Sequence, residues 1–320
     1  MLTLRGDKAN IILQLDGITR MGFGALEQAE LLLRNGQAPD AIAIVLGALA
    51  DPESQAAAAA DGLAQQLDQR GDSQGAIDVL RKAIENIGFH FYLLYTLGRI
   101  TTRMGAPDKA AVYFRLAHCC IGWTESLERG YTLSHDFFSP NIPTWNRMFG
   151  EHIHQAPIRY LEIGSWQGGS ASWLLDKVIG PRGGNMVCID TFAGSSEHGG
   201  LTEHIDIEKI FDSNLARTGR SDLVTKIVGR SRDVLPMLSQ DQFDLVYIDG
   251  AHEAKFVLQD AILSLPLVKR GGFLLFDDLD FTFPDHPEQD TILAINFFLS
   301  VFRDDISVVE KTHQLLVRRN

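Results

Sequence analysis

The sequence predicts an α/β fold: a mainly parallel, helix-flanked sheet over the second half of the chain, preceded by an all-α region. Three observations carry that expectation. Beyond residue 155, short apolar runs rich in β-branched residues alternate with helix-length stretches, the pattern of strands joined by crossover helices. The last two runs are separated only by Glu310-Lys311-Thr312-His313, too few residues for a crossover helix, so the sheet ends in an antiparallel hairpin. Ahead of residue 120, helical segments and polar turns recur at a spacing of roughly 34 residues. The expected division is a helical domain over 1–125, an aromatic connector over 126–155 and an α/β domain over 156–320.

Composition bounds the function. The 320 residues are 45% hydrophobic, enough to build real cores. A formal net charge of −12 argues against a broad nucleic-acid or anionic-membrane footprint. Cys119, Cys120 and Cys188 lack metal-ligand spacing and read as buried thiols of a cytoplasmic protein. Residues 1–20 hold no apolar core leading to a small-residue cleavage site and are not read as a signal peptide. No apolar run approaches the roughly 18 residues needed to span a bilayer.

In the helical region Gly36, Gly71 and Gly105 each fall in a polar turn, and Ala41, Ala76 and Ala110 follow at matching places. Leu80 aligns with Phe114, and Ala83 with Ala117. Small residues at equivalent positions let neighbouring helices approach closely. The pattern resembles degenerate tetratricopeptide repeats, about three of them, lacking most of the usual Trp and Tyr signposts. It implies either a plain bundle serving as a lid or self-association surface, or a groove for a protein partner. Tyr92, Tyr95 and Arg99 fall on a face that such a groove would use. The connector gathers Tyr131, Phe137, Phe138, Trp145 and Phe149 around Pro140 and Pro143. It reads as packed over the α/β domain, with 136–145 as a roof to its pocket or as ordinary packing.

The first strand, 160–163, runs into Gly164-Ser165-Trp166-Gln167-Gly168-Gly169-Ser170. Strand, glycine turn and helix start make a nucleotide-binding crossover. The glycines admit a ligand close to the backbone, and the helix N-terminus offers unpaired N–H groups. Glu162, ahead of the first glycine, is awkward for a pyrophosphate and suits a cationic group. That favours S-adenosylmethionine (SAM) over NAD, with Glu162, Gly164, Ser165, Gly168 and Ser170 as candidate contacts.

Further strands are expected at 186–189, 224–228, 245–248, 273–276, 306–309 and 314–317. Ligands of such sheets sit at the carboxyl ends of the strands. There the second strand delivers Asp190, placed to hold ribose hydroxyls, and the third delivers Ser231, towards the adenine. The fourth delivers Asp249-Gly250-Ala251-His252 and the fifth Asp277-Asp278. Asp249, Asp277 and Asp278 at adjacent strand ends raise one another's pKa unless a cation joins them. Hard oxygen ligands favour Mg²⁺.

In order, Glu162-x-Gly164, Asp190-Thr191-Phe192, Asp249-Gly250-Ala251-His252 and Gly271-Gly272 followed by Asp277-Asp278 resemble class I SAM-dependent methyltransferases. The resemblance is to the metal-dependent sugar O-methyltransferases of the macrocin and mycinamicin type and the related cephalosporin hydroxylase and rhamnosyl methyltransferase group. It covers residues 130–320 and implies a Rossmann-like sheet, SAM as methyl donor and Mg²⁺ held by Asp249, Asp277 and Asp278. It also implies transfer to a hydroxyl of a vicinal diol, a sugar before a catechol. The family often carries an acid, assigned as the base, where this chain has Ala251. Catechol-type enzymes carry a base lysine at the offset of His252, which makes His252 the candidate base, with a cofactor-packing role still open. Phe192, Trp166 and Trp145 would form an apolar wall. Two other readings remain. One is a protein methyltransferase that recruits a polypeptide through the repeats. The other is a non-catalytic scaffold with a vestigial domain, against which the intact glycines and acids speak.

Overall fold

The structure is a computed structural model that describes residues 24–194 and 205–320; the expectation for residues 1–20 lies outside them. The chain divides into two compact units, Met1–Pro140 and Asn141–Asn320.

The first unit is built from helical hairpins: α1 (Ala25–Arg34) with α2 (Ala38–Gly47), α3 (Gln55–Gln69) with α4 (Ser73–Ile87), and α5 (Phe91–Arg103) with α6 (Pro107–Cys120). A short α7 (Glu125–Arg129) follows. All three hairpins turn by the same device. Gly36, Gly71 and Gly105 adopt φ of 74°, 86° and 81°, which lets the next N–H reach back to a helix carbonyl. Those bonds run from Gln37 to Leu32 at 2.9 Å, Asp72 to Leu67 at 2.9 Å and Ala106 to Thr101 at 3.1 Å. The aligned Ala41, Ala76 and Ala110 are all fully buried, as are Leu80 and Phe114. α4 buries Ala76, Leu80, Ala83 and Ile84, one face of a helix at 3.6 residues per turn. A Cβ on Gly98 would stand 2.6 Å from the Phe114 ring, so α5 and α6 touch where Gly98 has no side chain. The end of this unit is fastened by Asp136, whose buried carboxylate accepts from His118 Nε2 at 2.8 Å and from the Ser139 amide at 2.9 Å.

The second unit opens with α8 (Ile142–Glu151) and continues β1 (Ile158–Ile163), α9 (Gly169–Leu174), β2 (Gly184–Asp190), α10 (Ile207–Thr218), β3 (Val224–Val228) and α11 (Ser231–Val234). It ends β4 (Phe243–Ile248), α12 (Ala254–Ser264), β5 (Val268–Phe276), α13 (Thr291–Val301), β6 (Ile306–Lys311) and β7 (Leu315–Arg319). The sheet order is β3-β2-β1-β4-β5-β7-β6. β1 to β5 pair in parallel, and β7 runs antiparallel to both β5 and β6, as the short 310–313 link requires. All seven expected strands are present. β5 begins earlier than expected: Val268 pairs with Phe243, and after a register shift between Phe243 and Leu245 the pairing continues from Phe273 with Leu245. β4 is buried along its whole length. Its one charge, Asp244, accepts the Arg159 amide at 2.8 Å and pairs with Lys269 Nζ at 2.8 Å, which offsets the cost of burial.

One apolar core joins Ile163, Val246, Leu274 and Phe276 of the sheet to Val257 and Ala261 of α12 and to Ile295 and Phe298 of α13. Elsewhere in the same unit Trp145 is fully buried, edge-on to Tyr247 at 5.0 Å and Trp173 at 5.6 Å. It therefore packs inside the unit and does not wall a pocket. The cysteines are free, with Cys119 and Cys188 buried and Cys120 half-buried. Among the described residues no helix is long and apolar enough to cross a membrane.

Candidate active site

The first parallel strand ends in the glycine turn, and backbone proximity dictates its composition. Gly164 has φ +85°, and a Cβ there would lie 1.8 Å from the Asp249 carbonyl oxygen. The Asp249 amide in turn donates to the Ile163 carbonyl at 2.9 Å, so the ends of β1 and β4 are locked side by side. Gly168 has φ +77° and caps α9, and its missing Cβ leaves room for Phe211 at 3.0 Å.

Glu162 lies beneath this turn, fully buried, and accepts from Tyr160 Oη at 2.8 Å and Ser170 Oγ at 3.1 Å. Burial lifts its carboxyl to about 7, against the pull of those hydrogen bonds. A carboxyl with a raised folded pKa binds its proton more tightly in the fold than in the unfolded chain. Its contribution to stability therefore falls as pH rises from 4.5 to about 7. Glu162→Gln is expected to be more stable than wild type by up to about 3 kcal/mol above that window and nearly equal below it. Urea unfolding at about pH 5 and about pH 8 checks this, and parallel curves for the two proteins would contradict it.

Asp190, at the end of β2, organises two turns at once. Its Oδ2 accepts from the amides of Ser165 at 2.7 Å and Trp166 at 2.8 Å, and its Oδ1 accepts from the Phe192 amide at 2.7 Å. A carboxylate offers about four acceptor positions, so room remains for one further donor. Trp166 and Phe192 hold φ of 46° and 53° beside it, and Phe192 packs on Phe211 at 5.1 Å. Ser231, at the start of α11, hydrogen bonds the buried Asp260 carboxyl, which burial raises to about 6. Asp260 Oδ2 lies 3.4 Å from where a Cβ of Gly250 would stand, so Ser231 is tied to the loop after β4.

The acidic end of the sheet differs from expectation in one respect. Asp249, His252 and Asp278 bring one ligand atom each within 4.8 Å of one another. His252 Nε2 stands 2.9 Å from Asp278 Oδ2. Asp277 belongs to another set of contacts: it accepts from Tyr247 Oη at 2.6 Å, Gln314 Nε2 at 2.8 Å and Asn141 Nδ2 at 3.2 Å. Asp278, with φ of 49°, takes the left-handed conformation that Asp tolerates better than most residues. Burial, then the charges of Asp277 and Asp278, push the Asp249 carboxyl well above the usual carboxylate range. Burial and the Asp278 charge push Asp277 the same way. Such a group of carboxyls is stabilised by a bound cation, so the donors present fit a divalent metal.

Residues 161–279 match the family described as a methyltransferase domain. The sheet of the second unit, with its terminal antiparallel hairpin, is that of a Rossmann-like methyltransferase. A catechol O-methyltransferase of Mycobacterium tuberculosis is 33% identical over 131 residues, covering 38% of this chain and 53% of that protein. The chain spans about half the length of the curated relatives it matches. Among solved structures, the SAM-bound O-methyltransferase TomG of Streptomyces achromogenes is 23% identical with a TM-score of 0.42, covering 56% of this chain and 80% of that one. MycE methyltransferase of the mycinamycin pathway, with Mg and S-adenosylhomocysteine, is 16% identical with a TM-score of 0.42, covering 70% and 60%.

Sequence reasoning passed over Asn141, Tyr247 and Gln314. Tyr247, the last-but-one residue of β4, stands two residues before Asp249, and strand alternation carried one step past the end of β4 puts both on one face. That signal was legible. Nothing in the sequence connects Asn141 or Gln314 to Asp277, which lie 136 and 37 residues away.

Proposed function

We propose that the chain is a SAM-dependent O-methyltransferase that, with Mg²⁺, methylates a hydroxyl of a vicinal diol in a small molecule, a sugar or secondary metabolite. The observation that supports it is the gathering of Asp249, His252 and Asp278 at the carboxyl ends of β4 and β5, beside a glycine turn pinned to Asp249. Bound SAM supplies a methyl group on a sulfonium, open to displacement by the acceptor oxygen. Glu162, Gly164, Ser165, Gly168 and Ser170 form the turn that holds it, Asp190 offers its remaining acceptor position to a ribose hydroxyl, and Ser231 serves the adenine end. Bound Mg²⁺ would lower the pKa of the acceptor hydroxyl. Asp249 and Asp278 would hold it, with Asp277 beside them. His252, whose Nε2 stands 2.9 Å from Asp278 Oδ2, takes the hydroxyl proton. The helical unit, read as tetratricopeptide-like, would carry any protein contact.

Calorimetry with SAM, with and without Mg²⁺, tests the reading. Asp190→Ala is expected to weaken SAM binding at least about tenfold, the loss of one charge-assisted hydrogen bond together with the order it gives the turn. Unchanged affinity would remove Asp190 from the cofactor site.

A further inference from the structure

Asp277 is the root of a hydrogen-bond tree whose outer branch reaches the surface beside the acid cluster. Trp145 Nε1, a donor only, gives its hydrogen to Gln314 Oε1 at 3.1 Å, which turns Gln314 Nε2 towards Asp277 Oδ1 at 2.8 Å. The Asp277 carboxylate likewise turns Nδ2 of Asn141 towards itself. Asn141 Oδ1 is then left facing His313 Nε2 at 2.7 Å and accepts from it. With Nε2 donating to Asn141, Nδ1 is the ring position left to accept. The ring is exposed, and among the described residues Nδ1 has no protein partner. His313 sits in the turn between β6 and β7, and its carbonyl accepts the Leu279 amide at 2.9 Å, one residue beyond Asp278.

We propose that His313 is an acceptor-binding residue, whose Nδ1 takes a hydrogen bond from a second hydroxyl of the methyl acceptor. The inference rests on the O-methyltransferase reading and narrows its substrate class. A hydrogen-bond acceptor linked through Asn141 to Asp277 selects a polyhydroxyl compound, because a second hydroxyl can donate to Nδ1 and a carboxylate or phosphate oxygen cannot. Asn141 acts through His313 as a positioning residue: it fixes the tautomer and links the ring to a carboxylate.

The test measures kcat and KM for transfer from SAM to methyl mannoside and to catechol, together with calorimetric binding of the same acceptors without SAM. His313→Ala is expected to raise KM and the acceptor Kd by about three- to tenfold, the span of one neutral hydrogen bond, with kcat within about twofold. His313→Asn returns an acceptor oxygen close to the place of Nδ1 and is expected to recover most of the loss. Wild-type activity with KM and Kd unchanged in His313→Ala overturns the inference and leaves the methyltransferase reading standing. A fall in kcat alone assigns the ring to proton transfer and overturns the binding role. A wild type that binds SAM but neither binds nor methylates either acceptor overturns the inference and the diol reading together.

Discussion

Asp249→Asn is expected to lower Mg²⁺ affinity at least about tenfold and methyl transfer by roughly 10²–10⁴-fold, the worth of several kcal/mol of metal assistance. The same variant is expected to make the unliganded chain more stable at neutral pH. Burial and the charges of Asp277 and Asp278 already hold the Asp249 carboxyl well above its ordinary range, so its ionised form is a strain on the fold. An amide of the same shape removes that charge. Loss of activity with gain of stability is the signature of a residue kept for function. Mg²⁺ titration calorimetry, a transfer assay and thermal unfolding read the three effects. Asp280→Asn is the control, since Asp280 is exposed and outside the cluster. Normal Mg²⁺ binding and transfer in Asp249→Asn would place the cation elsewhere.

Gly164→Ala is expected to destabilise the second unit by at least about 3 kcal/mol, a large share of the roughly 5–15 kcal/mol that holds a domain folded. Two costs add. The left-handed conformation at φ +85° costs an alanine about 1–2 kcal/mol. The new methyl would lie 1.8 Å from the Asp249 oxygen, 2.5 Å from its carbonyl carbon and 2.9 Å from the Gly250 Cα. All three are backbone atoms, so no side-chain rotation relieves the clash and β1 must separate from the loop after β4. Gly219→Ala separates the two costs, because Gly219 also has positive φ, +66°, but open space around it. It is expected to lose only about 1 kcal/mol. Urea midpoints give the comparison, and SAM binding is expected to vanish in Gly164→Ala alone. Similar midpoints for the two variants would show that the close approach is not rigid.

Much of the fold was legible because local rules and tertiary structure agree. The seven strands are apolar runs bounded by turn residues. The terminal hairpin follows from a link too short to cross over. The repeating glycines of the helical unit mark turns whose φ only glycine adopts cheaply. The glycine turn and the acids at strand ends could be named in advance because a parallel sheet delivers the residue after each strand to one edge.

The direction of each side chain at that edge was decided only by the tertiary structure. Asp277 and Asp278 are neighbours in sequence, yet one meets Tyr247, Asn141 and Gln314 while the other meets His252. Their separation depends on the left-handed turn at Asp278 and on Asn141 and Gln314, which stand just ahead of α8 and β7. Trp145 looked from its sequence neighbours like part of a pocket wall and is instead enclosed between Tyr247 and Trp173. The sequence determined which residues reach the carboxyl edge of the sheet, because strand periodicity is local. Contacts between residues far apart in the chain decided which of them meet there, because packing and hydrogen-bond satisfaction act on the folded neighbourhood and not on the order of the residues.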